Sequence, residues 1–265
     1  MRLNIRHITR YDFQDGVHYG LQQIRKTPKS TPLQNVVEWH TVIDGGRKEL
    51  SFEDHHNNSV ELVSFTPQTR HLTIISEGLV DVGESHGVLG RHRGPAPLWL
   101  YQTPTSRTQA KSGVRALVRG LPSDNDLERL YALSARIAET VTYTKGASES
   151  DWSAEESIFA AQGVCQDHAH IFVASARHMG IPARYMSGYL MLDDRTAGEA
   201  MHAWAEAHVP DLGWVGFDVS NGISPDTRYV RVATGLDYAD AAPISGTRQG
   251  GTSESLTVEV HVAEQ

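Results

Sequence analysis

The sequence predicts an α+β protein in which a β-rich N-terminal part precedes a domain of helices and strands. Short alternating runs of apolar and polar residues, separated by turn signals, occupy roughly the first 120 positions and favour a sandwich or open barrel. Beyond them the apolar period becomes helical, and three predicted helices are followed by three strand-like segments. We therefore divide the chain into a β-rich domain at 1–110 and a second domain at 111–265.

The composition is that of an ordinary globular chain. The 265 residues are 39% hydrophobic and 21% charged, which predicts one or two domains. The 24 Lys and Arg residues against 32 Asp and Glu give a net charge of −8, so the chain lacks the basic surplus typical of nucleic-acid and membrane-surface binders. We expect neither partner.

Cysteine usage and the N-terminal segment predict a reducing compartment. One cysteine excludes an intramolecular disulfide, and residues 1–30 contain no apolar stretch typical of a signal peptide. No run approaches the ~20 apolar residues of a membrane helix. The expected location is the cytoplasm.

The N-terminal strands are predicted from period-two alternation. The runs lie at 1–9, 35–43 and 71–79, and the sequence Asp44-Gly45-Gly46 resembles a hairpin turn. A second hairpin is predicted at 56–59, where His-Asn-Asn-Ser precedes another apolar run.

Three helices and four strands are predicted after residue 120. Apolar residues at helical spacing indicate a helix over 127–141, and Ser153 with Glu156 forms a capping box that opens a second helix. A third helix begins at Cys165, with one apolar stripe, and ends before Pro182. Antiparallel strands follow at 183–192, 200–209 and 214–219, and a terminal strand at 256–262.

Cys165 is the candidate nucleophile. It follows a glycine turn and opens a helix, where the helix dipole and free backbone N–H groups stabilise a thiolate. The alternative is an inert buried thiol, which is the usual fate of a lone cysteine. His202 on the second predicted strand offers a base, and Asp218 at the end of the third offers a carboxylate to orient it.

These segments resemble the transglutaminase-like superfamily, in particular its bacterial branch of candidate cysteine proteases with a β-rich N-terminal domain. The resemblance lies in four motifs: Gly163 to His170, Gly180 to Tyr189, His202-Ala203-Trp204 and Gly213 to Asp218. It implies a papain-like catalytic domain of helices packed on an antiparallel sheet, and a catalytic triad of Cys165, His202 and Asp218.

Other polar and aromatic residues of these motifs have two interpretations each. They line the cleft, shield the site from water or bind substrate, or they cap helices and pack in the scaffold. These residues are Asp167, His168, His170, Arg184, Tyr185, Tyr189, Trp204 and Trp214. The backbone N–H of Cys165 is a natural oxyanion donor, and a second donor is not assigned.

The predicted function is thiol-dependent amide hydrolysis of a peptide or protein through a thioester acyl-enzyme, without a cofactor. Water as acceptor makes a peptidase or amidase, and an amine makes a transglutaminase or another acyltransferase. A thioester-using acyltransferase, a catalytically silent binding module and a metal-dependent hydrolase are the alternatives. The metal alternative is weakened because His168 and His170 are two residues apart on a helix, unlike the i, i+4 pairs that share a metal. A homo-oligomer is compatible with the sequence.

Overall fold

The computed structural model describes residues 1–122, 124–192, 197–198 and 200–265. Its architecture is α+β, as predicted: two antiparallel sheets, with the helices collected around one of them. None of the helices in these ranges combines the length and hydropathy that a membrane crossing requires.

The elements follow in chain order. The strands are β1 (Arg2–Ile24), β2 (Gln34–Asp44), β3 (Gly46–Glu53), β4 (Ser59–Phe65), β5 (Thr69–Val82), β6 (Val88–Gly90), β7 (Thr142–Tyr143), β8 (Gln162–Gly163), β9 (Ala183–Leu190), β10 (Ala197–Gly198), β11 (His202–Val209), β12 (Gly213–Phe217), β13 (Tyr229–Gly235), β14 (Ile244–Gly250) and β15 (Ser255–Glu264). The helices are α1 (Ser112–Val118), α2 (Asp126–Thr140), α3 (Ala154–Ala160), α4 (Cys165–His178) and α5 (Tyr238–Ala241), with a 3₁₀ turn at Leu98–Gln102.

The first sheet is curled around the 23-residue strand β1. The N-terminal half of β1 pairs with β5 and β15, and its C-terminal half pairs with β4 and β14. Strands β2 and β3 add outside β5 and β4. Phe13, Phe65 and Ile74 belong to one buried cluster inside this sheet, whereas Leu3 and Ile5 pack in a second cluster that includes residues of the other sheet.

One of the two predicted hairpins is wrong. The turn at 56–59 joins β3 and β4 as an antiparallel pair, as expected. At Asp44-Gly45-Gly46, however, β2 stays paired with β5 while β3 pairs with β4. Gly45 has a φ of +82°, and a Cβ there would lie 2.0 Å from the carbonyl oxygen of His71. The glycines bend the chain from one half of the sheet to the other because the backbone passes too close for a side chain.

The second sheet has the order β13-β9-β11-β12-β6 and carries the predicted strands β9, β11 and β12 as antiparallel neighbours. Its alanine face, which includes Ala205 and Ala207, packs against α4. Burial on α4 extends beyond the predicted apolar stripe. Every residue from Asp167 to Arg177 is buried, because α1, α2 and α3 pack around the sides of α4 that the sheet leaves open.

The two sheets exchange strands. Strand β6 comes from the N-terminal part of the chain and pairs with β12, whereas β14 and β15 return from the C-terminus to pair with β1. Side chains bridge the sheets as well, since Gln34 bonds the backbone of Arg231 twice, at 2.8 and 2.9 Å. The division at residue 110 stays a prediction, and these strands cross it.

A buried lysine lies where the sheets meet. The Lys26 ammonium is fully buried and donates a 2.5 Å hydrogen bond to Thr9 Oγ1. Burial lowers the pKa of Lys26 from 10.5 to about 7. Between these two values the unfolded chain binds more protons than the folded one, so this residue makes the protein more stable as the pH rises through that window.

We therefore expect Lys26→Met to raise the free energy of unfolding by about 2 kcal/mol at pH 6, where wild type buries a charge. The advantage of the variant should shrink as the pH approaches 10. Urea denaturation at several pH values measures it, with the exposed Lys111→Met as control. A difference between variant and wild type that does not change with pH would contradict the buried charge.

Candidate active site

Cys165 is held at a capped helix start. It is the first residue of α4 and partly buried. Two residues on, the Asp167 carboxylate turns back and accepts the backbone N–H of Val164 at 2.7 Å. Gly163 leaves room for this turn, since a Cβ there would lie 2.8 Å from the Asp167 side chain. The local sequence thus fixes where the helix begins and where the thiol points.

Asp167 is a structural residue. Besides capping α4, its fully buried carboxylate accepts hydrogen bonds from Ser148 at 2.5 Å and Ser157 at 3.0 Å. These bonds join the loop before α3, α3 itself and the start of α4. Of the two sequence interpretations, the cap is the one that the contacts support.

His202 and Asp218 meet across neighbouring strands. His202 opens β11, Asp218 follows the last residue of β12, and His202 Nε2 donates to Asp218 Oδ2 at 2.6 Å. Cys165 lies close enough to His202 to raise the pKa of the imidazole. Because Nε2 faces the carboxylate, Nδ1 is the ring nitrogen that remains for the sulfur. The three residues predicted from the sequence therefore lie together, in the order thiol, imidazole, carboxylate.

The Asp218 side chain is completely buried and accepts several hydrogen bonds. The same Oδ2 that faces His202 also accepts hydrogen bonds from Asn221 Nδ2 at 2.6 Å and Tyr229 OH at 2.7 Å. Burial on its own would raise the pKa of Asp218, but the charge of His202 and these bonds outweigh it and lower the pKa below the usual value. The carboxylate is therefore ionised at neutral pH.

His202 is held in its protonated form. Burial would lower its pKa, but its electrostatic interactions with Cys165 and Asp218 and its hydrogen bond to Asp218 outweigh that effect and raise the pKa to about 10. Only 15% of the imidazole side chain is exposed, so solvent screens these interactions little. The arrangement favours an imidazolium beside the sulfur.

Two aromatic rings cover the imidazole from the interior. The Trp204 ring stacks on His202 at 6.2 Å, and Tyr229 meets Trp204 edge-on at 5.5 Å. Gly188, opposite His202 in β9, makes room because a Cβ there would lie 2.6 Å from the Trp204 ring. Trp204 is thus in contact distance of the site, as the shielding interpretation requires.

The two histidines near Cys165 on α4 are neutral and engaged elsewhere. His168 Nε2 donates to the Val141 carbonyl at 2.9 Å, and Ser220 Oγ bonds Nδ1 at 2.8 Å. His170 Nε2 accepts the Tyr238 backbone N–H at 3.1 Å. Burial lowers both pKa values, that of His170 to about 3 with help from two arginines. His168 positions the loop that follows Asp218, and neither histidine bonds the triad residues.

The remaining candidates lie apart from the thiol, except Tyr185. Burial and the nearby Cys165 raise the pKa of buried Tyr185 well above its usual value. Tyr189 donates to the Lys26 carbonyl at 3.2 Å, between the two sheets. Arg184 lies over the Trp214 ring at 3.9 Å, on the sheet face away from α4.

No group of three or more His, Cys, Asp or Glu side chains suited to a metal ion occurs within the described ranges. The histidines are instead dispersed among separate contacts. His56, for example, bonds Tyr101 and Asp240, and His208 packs edge-on against Trp214.

Sequence reasoning missed Asn221 and Tyr229. Asn221 stands in a turn three residues after Asp218, which is the spacing of an Asx-type contact and a usable signal. Tyr229 reaches Asp218 from β13, and no local pattern in its segment points to that contact. The N-terminal sheet was missed as well: Trp39 and Val258 pack against the same buried cluster as Cys165.

Comparisons with known proteins identify the family. Residues 115–219 match the profile described as the Transglutaminase-like superfamily, and residues 3–81 match the Bacterial transglutaminase-like N-terminal region. An uncharacterized protein of Mycobacterium tuberculosis is 30% identical over 288 residues, which cover 98% of this chain and 91% of the relative. The chain belongs to the transglutaminase-like superfamily.

Two further relatives of this superfamily member carry functional descriptions of their own. The crystal structure of a candidate cysteine protease from Cytophaga hutchinsonii superposes with a TM-score of 0.81 at 22% identity, covering 99% of this chain and 90% of that one. That likeness shows the fold. A protein-glutamine gamma-glutamyltransferase of Pseudomonas aeruginosa is 31% identical over 104 residues, 34% of this chain and 15% of the relative.

The capping role of Asp167 predicts a large effect on stability. Asp167→Ala should lower the free energy of unfolding by about 2 kcal/mol, because three buried or partly buried donors lose their acceptor. The exposed Asp151→Ala is the matched control and should change it by less than about 0.5 kcal/mol. Urea denaturation compares the two, and equal stabilities would argue against the cap.

Proposed function

We propose that the protein is a thiol-dependent amide hydrolase acting on peptides or proteins through Cys165, His202 and Asp218. The observation that carries the proposal is the position of His202, which is hydrogen-bonded to the buried Asp218 and close enough to Cys165 for the two side chains to interact electrostatically. An imidazolium next to a sulfur supports a thiolate, which is the attacking form of cysteine.

The reaction follows from these positions. The thiolate attacks the amide carbonyl, and the C–N bond of the resulting tetrahedral species breaks to leave a thioester on Cys165. His202 gives its proton to the departing amine and then takes one from the incoming water, whose oxygen attacks the thioester carbon. The C–S bond breaks, which releases the acid and restores the thiolate beside the imidazolium. Asp218 keeps the ring oriented and stabilises its charged form in the resting enzyme.

The oxyanion is assigned to the start of α4. The first backbone N–H groups of a helix have no partner within it, and Cys165 is the first helical residue. Its own N–H therefore points toward the position where negative charge develops. The capping of Val164 by Asp167 keeps this turn in place.

Transfer to an amine is the second candidate. The gamma-glutamyltransferase relative aligns over about a third of this chain and supports a transferase reaction on the same thioester. The Cytophaga hutchinsonii neighbour, described as a candidate protease, supports hydrolysis. We favour water because it needs no binding site of its own.

A silent binding module and a metal-dependent hydrolase are disfavoured. A binding module needs no charged imidazole beside a thiol, and burying that charge costs desolvation free energy. The histidines are dispersed rather than convergent. We retain the reducing cytoplasm as part of the proposal, since the nucleophile is a free thiol.

The thiol mechanism predicts that Cys165→Ala abolishes amide turnover and iodoacetamide labelling together. Cys165 is the only cysteine, so intact mass reports on this residue alone. Wild type incubated with a peptide pool should gain an acyl adduct. Turnover that persists in Cys165→Ala would refute the mechanism.

The fate of that adduct separates the two reactions. Discharge at the same rate with and without a primary amine, releasing free acid, supports the hydrolase. Discharge that requires the amine and yields an amide product would replace it with a transferase.

The role of Asp218 predicts that Asp218→Asn lowers kcat by about 100-fold or more, because the amide stabilises imidazolium poorly and permits the wrong tautomer. Tyr229→Phe, which removes one of the donors to that carboxylate, should cost less than tenfold. Steady-state kinetics on one amide substrate compare both. A larger loss for the tyrosine variant would assign the main role elsewhere.

A further inference from the structure

A cavity lies on the face of the second sheet that is turned away from α4. Its volume is about 320 Å³, and its walls come from the loops after β1 and β3, the loop after β6, and the strands β9 and β13. Residues alternate along a strand, so Arg184 faces this cavity while Ala183 packs toward α4. None of the triad residues lines it.

The cavity is lined by positive charge in a protein of net charge −8. Its cations are Lys29, Arg91, Arg93, Arg184 and Arg231. Lys29 pairs with Glu53 at 2.5 Å. Arg91 and Arg93 are exposed, and neither forms an ion pair within the described chain.

The floor of the cavity holds two arginines that share one carboxylate. Glu206 is fully buried and accepts Arg184 Nε at 2.6 Å and Arg231 Nε at 2.7 Å. Arg184 Nη2 also lies 2.6 Å and Arg231 Nη2 3.0 Å from this carboxylate, whereas Arg231 Nη1 forms no hydrogen bond in the described ranges. One positive charge is therefore left uncompensated next to the cavity.

The partly buried Arg231 carries an excess charge that is costly to desolvate unless an anion joins it, and the exposed Arg91 and Arg93 add two solvated charges to the lining. Glu53 and Glu206 together compensate two of the five cations, which leaves three. A dianion satisfies that excess better than a single carboxylate does, and arginine forks match the geometry of phosphate oxygens.

Polar side chains, among them Ser30, Asn58 and Thr234, make up much of the rest of the lining. Trp214 is buried behind them, and the guanidinium of Arg184 covers its ring at 3.9 Å. A small ligand with a charged head and a hydrogen-bonding body matches such a mixture.

We propose that this cavity binds a small phosphate monoester, with the phosphate between Arg91, Arg93 and Arg231. The site is separate from Cys165 and its chemistry. A binding measurement therefore tests it whether or not the hydrolase proposal holds.

Calorimetric titration with phenyl phosphate is the test, and phenol is the matched neutral probe. Wild type should bind phenyl phosphate and not phenol. The double variant Arg91→Gln with Arg93→Gln removes two exposed charges, leaves Glu206 paired, and should weaken binding at least tenfold.

The control removes two other exposed arginines that have no ion pair in the described chain, Arg70→Gln with Arg119→Gln. It lowers the net charge equally and should leave the affinity unchanged. Absence of phenyl phosphate binding to wild type at millimolar concentration would overturn the proposal, and so would an equal loss in the control or equal binding of phenol.

Discussion

The site depends on one buried carboxylate. Asp218 has no exposed surface, and three donors converge on a single oxygen, one each from β11, β13 and the turn after β12. Because a buried carboxylate is costly without such donors, its presence requires His202 to stay where it is. The stacking of Phe217 on Phe172 at 4.8 Å ties the same strand end to the helix that carries the thiol. The register of the sheet and the position of Cys165 are thus set together.

The two sheets support each other through exchanged strands rather than through a simple interface. Strand β6, from the N-terminal part of the chain, pairs with β12 in the second sheet. Strand β15, from the C-terminal end, pairs with β1 in the first sheet. The cationic cavity lies where these parts meet, and β13 connects it with the triad, since Tyr229 bonds Asp218 while Arg231 bonds Glu206. An occupant of the cavity would therefore contact the strand that orients the carboxylate.

The candidate triad was predictable because each member has a local signal. Cys165 follows a glycine turn and opens a predicted helix. His202 and Asp218 stand at the ends of strands that the alternation of residues along the sequence predicts. Tyr229 was not predictable, since its contact depends on β13 pairing with β9, far along the chain. The hairpin predicted at Asp44 was wrong for a related reason. Turn residues in the sequence indicate where the chain bends, but which strands pair depends on the whole sheet.

The protonation state of His202 tests the account most directly. Nitrogen NMR of labelled histidines, with His202→Gln to assign the signal, reports whether both ring nitrogens carry protons. The account predicts an imidazolium at pH 8, because Cys165 and Asp218 raise the pKa of His202 to about 10, whereas an ordinary histidine with a pKa of 6.5 is neutral there. A neutral ring at pH 8 would contradict the ion pair on which the proposed chemistry rests.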